Sequence, residues 1–89
     1  MRKIVFSRGS ERKLRRFIKR HPELKTRADR VINLLRENPV NQSVGAHKLS
    51  GRLRLYWAAD VTFHYRIVYS FDDETLYLLN IGTHDETYE

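Results

Sequence analysis

The chain has 89 residues, 40% of them hydrophobic and 31% charged, with 17 Lys and Arg against 11 Asp and Glu for a net charge of +6. That length reads as one domain, residues 1–89, with room for a single core, and the composition is globular rather than disordered. Cysteine is absent, which excludes disulfides, Cys-based zinc sites and a thiol nucleophile.

"RKIVF", residues 2–6, opens as a short strand with β-branched and aromatic content. Its apolar part is far too short for a signal peptide or a membrane span, so a cytoplasmic protein without membrane contact is expected. Ser7 or Ser10 can cap the helix that follows. In it Leu14, Phe17 and Ile18 form one narrow apolar stripe at helical spacing. Its other faces are basic: residues 1–20 carry nine Lys and Arg against Glu11 alone. "HPE", residues 21–23, breaks the run, and Pro22 suits the start of a second helix. There Leu24, Ala28, Val31, Ile32 and Leu35 keep helical spacing until Asn38-Pro39 ends the pattern. The two helices are expected to form a hairpin packed by their apolar stripes. A small domain this basic suggests a polyanionic partner, nucleic acid above all. The plainer alternative is a solvated helix face.

The second half changes period. "RLRLYWAAD", residues 52–60, and "FHYRIVYSF", residues 63–71, alternate as strands do. "DDE", residues 72–74, reads as a hairpin turn. "TLYLLNIG", residues 75–82, is nearly all apolar and so is a central or doubly covered strand. The fold class that follows is α+β: an N-terminal strand and helical hairpin packed on one face of a small antiparallel sheet. Alternation puts Phe63, Tyr65, Ile67 and Tyr69 toward the helices. His64 and Arg66 then stand on the open face, where Arg54 joins them if Leu53 and Leu55 point inward. Such a face can serve as a phosphate platform, or it can simply be polar and wet. Trp57 shares its parity with Leu53 and Leu55 and is expected in the core, with Tyr56 outside. His21, between the helices, reads as a solvent-facing loop residue. The last eighteen residues hold six Asp and Glu and no Lys or Arg.

Three segments in order, "AHKLSG", "HYRIVYSF" and "LYLLNIGTHDETYE", resemble the RelE/ParE toxin superfamily of toxin–antitoxin systems. The similarity is greatest to its ribosome-dependent messenger-RNA endonucleases of the RelE and YafQ type. The resemblance implies the fold read above. It implies cutting of messenger RNA in the ribosomal decoding site without a metal or other cofactor, through the ribose 2′-OH, to leave a 2′,3′-cyclic phosphate. Residue by residue, His47 matches a His of the YafQ-like branch. His84 matches its catalytic His. Tyr88 matches the substrate-positioning aromatic, and with one residue after it the tail is expected to be part of the site. Arg66 matches the strand Arg of the RelE branch that meets the scissile phosphate. His64 and Asp60 fall where the YafQ-like branch has Asp and His, so those two types are exchanged here.

The chemistry needs a base for the 2′-OH, an acid for the 5′-oxygen and a cation for the phosphate. Imidazole suits the first two. Three of the four histidines lie in matched segments. The reading is His84 as acid, His47 or His64 as base, Asp60 orienting an imidazole and Arg66 as cation. Lys48, Arg52 and Arg54 add phosphate contacts. His47 has a second reading as a loop residue bonded to backbone, and His84 as a cap on the sheet end. The resemblance also implies partners: ribosomal RNA, a cognate antitoxin that orders on the basic surface, and operator DNA for the toxin–antitoxin complex. The competing functions are a ParE-like inhibitor of DNA gyrase that acts by binding, and an inactive antitoxin-binding member of the same fold.

Overall fold

In a computed structural model, described for residues 1–88 with side chains through Thr87, the chain runs β1 (Lys3–Phe6), α1 (Ser10–Arg20), α2 (Lys25–Glu37), β2 (His47–Lys48), β3 (Trp57–Asp60), β4 (Tyr65–Phe71), β5 (Thr75–Thr83) and α3 (His84–Tyr88). Short 3-10 turns at Pro22–Leu24, Gln42–Val44 and Gly51–Leu53 join them. Among the described residues no helix is long and apolar enough to cross a membrane.

The helical stripes behave as their spacing predicts. Phe17 of α1 and Ala28, Val31, Ile32 and Leu35 of α2 are buried. The α2 residues meet Ala59, Val61, Ile67, Tyr69, Leu76 and Leu78 on the helical side of the sheet, while Phe17 packs edge to face with Tyr65 at 5.1 Å. Tyr69 is wholly buried and donates its hydroxyl to the Pro39 carbonyl at 2.5 Å. Burial pushes its pKa up. The start of α1 differs from expectation. Its N-cap is Gly9, at φ 82, and no side chain caps it; Ser10 Oγ instead donates to the Ser7 carbonyl at 2.8 Å.

The sheet order is β1-β5-β4-β3-β2. Every pairing is antiparallel except that of β1, which lies parallel to β5 with Lys3 opposite Thr75. The 72–74 hairpin is confirmed: Asp72 Oδ1 accepts from the Glu74 and Thr75 amides. These bonds, with the Tyr77 hydroxyl and the nearby Arg2 charge, hold the Asp72 carboxyl below its ordinary pKa range. A bulge interrupts the β4–β5 ladder: Val68 pairs with Asn80 but Tyr69 pairs with Leu78, so Leu79 is the extra residue. The bulge lets β5 serve both faces. Leu76, Leu78 and Ile81 pack on the helical side, while Leu79 packs on the other.

That other face is not open. Leu49, Ala58 and Val68 form a second small cluster there, covered by Leu53 and Tyr56. The strand expected from residue 52 begins only at Trp57. Gly51, at φ 64, turns the backbone into a 3-10 helix, and Leu55 is left 73% exposed. Arg54 therefore lies on a covering turn, not on a strand. Trp57 packs on the helical side as expected, edge to face with Phe71 at 5.7 Å, but Tyr56 belongs to the second cluster rather than to solvent. Phe63 does not face the helices: it is 90% exposed in the β3–β4 turn.

Candidate active site

The end of the sheet where β3 stops, β4 starts and β5 passes into α3 gathers most of the residues singled out from the sequence. Across it Asp60 pairs with Arg66, and Arg66 pairs with Gly82. His64 precedes Tyr65, and His84 follows Thr83, its partner in the ladder. The two histidines thus continue one cross-strand pair by one residue on each strand.

His47 reaches the same end from β2. Two residues earlier Gly45 sits at φ 68, where a Cβ would stand 2.6 Å from Asp60 Oδ2. Only glycine satisfies both the left-handed backbone and that close approach. The Gly45 carbonyl lies 2.9 Å from His47 Nδ1. A carbonyl can only accept, so neutral His47 carries its proton on Nδ1 and keeps the Nε2 lone pair available. His47 lies in β2 and not in a loop; it is bonded to backbone, as one reading expected, and it is exposed.

The tail forms α3, an element the sequence reading did not contain. Thr83 Oγ1 accepts from the Glu86 amide at 3.2 Å, and the Thr83 amide donates back to Glu86 Oε1 at 2.8 Å. This reciprocal pair is a capping box, and "THDE" is its sequence signature. It was the available signal for a helix starting at His84. Gly82 makes room for it, since a Cβ there would meet Glu86 Oε1 at 2.7 Å. The Thr83 bonds hold the Glu86 carboxyl below the ordinary range, helped by the charges of Arg20 and Lys13.

Thr87, also missed, is buried under this helix. Its hydroxyl donates to the Thr83 carbonyl at 2.9 Å and accepts from Arg66 Nε at 2.8 Å. Arg66 itself is 1% exposed. The expected open platform with a solvent-facing Arg66 is therefore corrected: α3 lies against β4 and closes over it. Lys48, Arg52 and Arg54 are exposed and lie on the segment that covers the second cluster. His64 is exposed, its amide donating to Thr62 Oγ1 at 3.1 Å. Asp60 and His84 are exposed too. The expectation for the Tyr88 ring lies outside the described residues. Among the described residues no three His, Asp or Glu side chains are grouped as a metal ion would need.

On the helical side, Lys13, Arg16 and Arg20 line a cleft of about 280 Å³ that Glu86 borders. His21 belongs to it and is not a free loop residue: its ring packs 5.0 Å from Phe17 and 4.8 Å from Tyr65.

Residues 2–89 match the family described as the bacterial toxin of type II toxin–antitoxin systems, YafQ. The chain belongs to the YafQ toxin family. No curated protein matches it. Among solved structures, YafQ from E. coli strain BL21(DE3) is similar with TM-score 0.82 and 22% identity, over 100% of both chains. YafQ in the E. coli DinJ–YafQ toxin–antitoxin complex gives 0.80 and 24%, over 99% of this chain and 98% of that one. The YoeB/ParE toxin from Agrobacterium tumefaciens gives 0.80 and 18%, over 92% and 98%. At these identities the structural likeness shows the α+β toxin fold, and membership in the YafQ family rests on the family match.

Proposed function

We propose that this YafQ-family toxin is a ribosome-dependent endonuclease of messenger RNA. The observation that supports the reading is the strand register, which puts His47, Asp60, His64 and His84 toward the end of the sheet where Arg66 bonds Thr87. His47 or His64 takes the 2′-OH proton. The freed oxygen attacks phosphorus, the bond to the 5′-oxygen breaks, and His84 protonates that leaving group. The product is a 2′,3′-cyclic phosphate and a 5′-OH. Asp60 orients an imidazole, and Tyr88 positions the substrate. The negative charge on phosphorus is met by Lys48, Arg52 and Arg54, whose exposed side chains also dock ribosomal RNA. Arg66 is a positioning residue in this scheme: it fixes α3, and α3 carries His84.

An antitoxin is the protein partner of the reading, as DinJ is for YafQ in the E. coli complex. Its acidic or apolar segment orders on the basic surface, and the pair binds operator DNA.

The test is primer extension of messenger RNA on programmed ribosomes. Wild type cuts in the decoding site, and folded His84→Ala does not. Single-turnover cleavage follows a bell-shaped pH profile from its acid and base. It weakens as salt rises from ~0.05 to ~0.2 M, because docking releases counterions. Absence of cuts by folded wild type overturns the reading and directs the search to inhibition of gyrase supercoiling.

A further inference from the structure

Phe63 presents the most exposed large apolar side chain among the described residues, at 90%. It is not loose. The turn that carries it is closed by Val61 and Thr62 amides donating to the Tyr65 carbonyl, at 2.9 and 3.2 Å. Thr62 Oγ1 accepts from the His64 and Tyr65 amides, and Val61 is 2% exposed. The ordered turn thus carries the ring out into water, with its centroid 5.4 Å from that of His64 in an edge-to-face contact. An exposed aromatic on an ordered turn beside an exposed imidazole is a platform for another planar group.

Phe63 also walls a cleft of about 520 Å³ between α2 and the β3–β4 turn, together with Arg27, Arg30, Ser43 and Asp60. Arg27 and Arg30 lie three apart on α2 and so share a face. Neither guanidinium has a hydrogen-bond or ion-pair partner among the described residues. Two such cations outnumber the Asp60 carboxylate, which turns toward Gly45. An aromatic face with guanidinium forks alongside matches a nucleotide: π-surface for the base, donors for the phosphate.

We infer that Phe63, Arg27 and Arg30 form a subsite for a nucleotide of single-stranded RNA adjacent to the scissile one, its base stacked on Phe63 and its phosphate held by the two arginines. The inference rests on the nuclease reading, because Phe63 and Asp60 link this cleft directly to the histidines of that site. Single-stranded RNA is favoured over a protein partner by this continuity. The subsite orders the strand without reading base edges, so it is sequence-tolerant.

The test uses a short fluorescent 2′-O-methyl RNA, which cannot be cut, and measures its affinity by anisotropy. Phe63→Ala weakens binding about five- to a hundred-fold, the range for loss of one base–aromatic stack, while Phe63→Trp retains it. Arg27→Ala and Arg30→Ala each weaken binding and lower its salt slope by about one. Replacing one nucleotide of the RNA by an abasic unit weakens binding to wild type but not to Phe63→Ala. Equal affinity of wild type and Phe63→Ala for the RNA overturns the inference and leaves Phe63 as an anchor for a protein. Ribosome cleavage by wild type is read separately. Phe63-dependent binding without any cleavage keeps the subsite and removes the nuclease reading; cleavage with Phe63-independent binding does the reverse.

Discussion

Under α1 and α2, ten buried residues from α2, three strands and the β3–β4 turn join into one cluster; on the opposite face only Leu49, Ala58 and Val68 do, with Leu53, Tyr56 and Leu79 packed over them. The helical side is held by apolar area removed from water, a force without direction. α3, beside the smaller cluster, is held by the Arg66–Thr87 bond and the Thr83–Glu86 capping box, which are directional and local. His47, Asp60, His64 and His84 stay exposed. The main core and the proposed catalytic residues thereby occupy different parts of one thin sheet. Substitutions in that core should cost the whole fold, and those in the contacts of α3 should cost one helix.

The largest effect expected is on the helical side. Leu35 is wholly buried, and Leu35→Ala should lower stability by about 2–5 kcal/mol, read from urea unfolding. A loss below about 1 kcal/mol would break the contrast, since the far side would then carry comparable weight. Thr87→Val keeps the volume but removes the acceptor that Arg66 Nε uses. It should cost about 1–3 kcal/mol. Hydrogen exchange should show that cost at α3 amides before the sheet responds. Uniform loss of protection would join the two faces into one unit.

A smaller effect, about 0.5–2 kcal/mol, should follow Thr83→Ala, which opens the capping box. Acid should act at the same place. Because the folded pKa of Glu86 is depressed, its contribution is complete above the ordinary glutamate pKa near 4.3 and is lost as pH falls through the lower folded value. α3 should therefore fray in acid below about pH 4, and Glu86→Gln should remove that dependence; amide chemical shifts of α3 would check both.

The comparison also explains what could be read from the sequence. Leu14, Phe17 and Ile18, and Ala28 through Leu35, announce their helices because a large core imposes regular spacing on them. The alternation of β4 is legible for the same reason. Residues 52–55 mimic a strand, but four alternating residues also fit a turn, and Gly51 at positive φ decides for the turn. α3 has five residues, too few to show a period, and only its capping signature betrays it. Arg66 looks like a surface residue because charge usually is. Its burial depends on Thr87, twenty-one positions away, which no local pattern reveals. The parallel partner of β1 is likewise a choice made at long range.

That parallel pairing has a consequence in time. Lys3–Phe6 is translated long before its partners Thr75–Leu78, which come just before the segment that holds His84. Chains fold from the N-terminus as they are made, and distant pairings are slow. Until β5 and the segment after it have been made, the nascent chain has neither a closed sheet nor α3. Chains truncated after Glu74 should accordingly stay protease-sensitive. A toxin whose proposed target is a ribosome is thus unfinished until the ribosome making it has released β5 and α3.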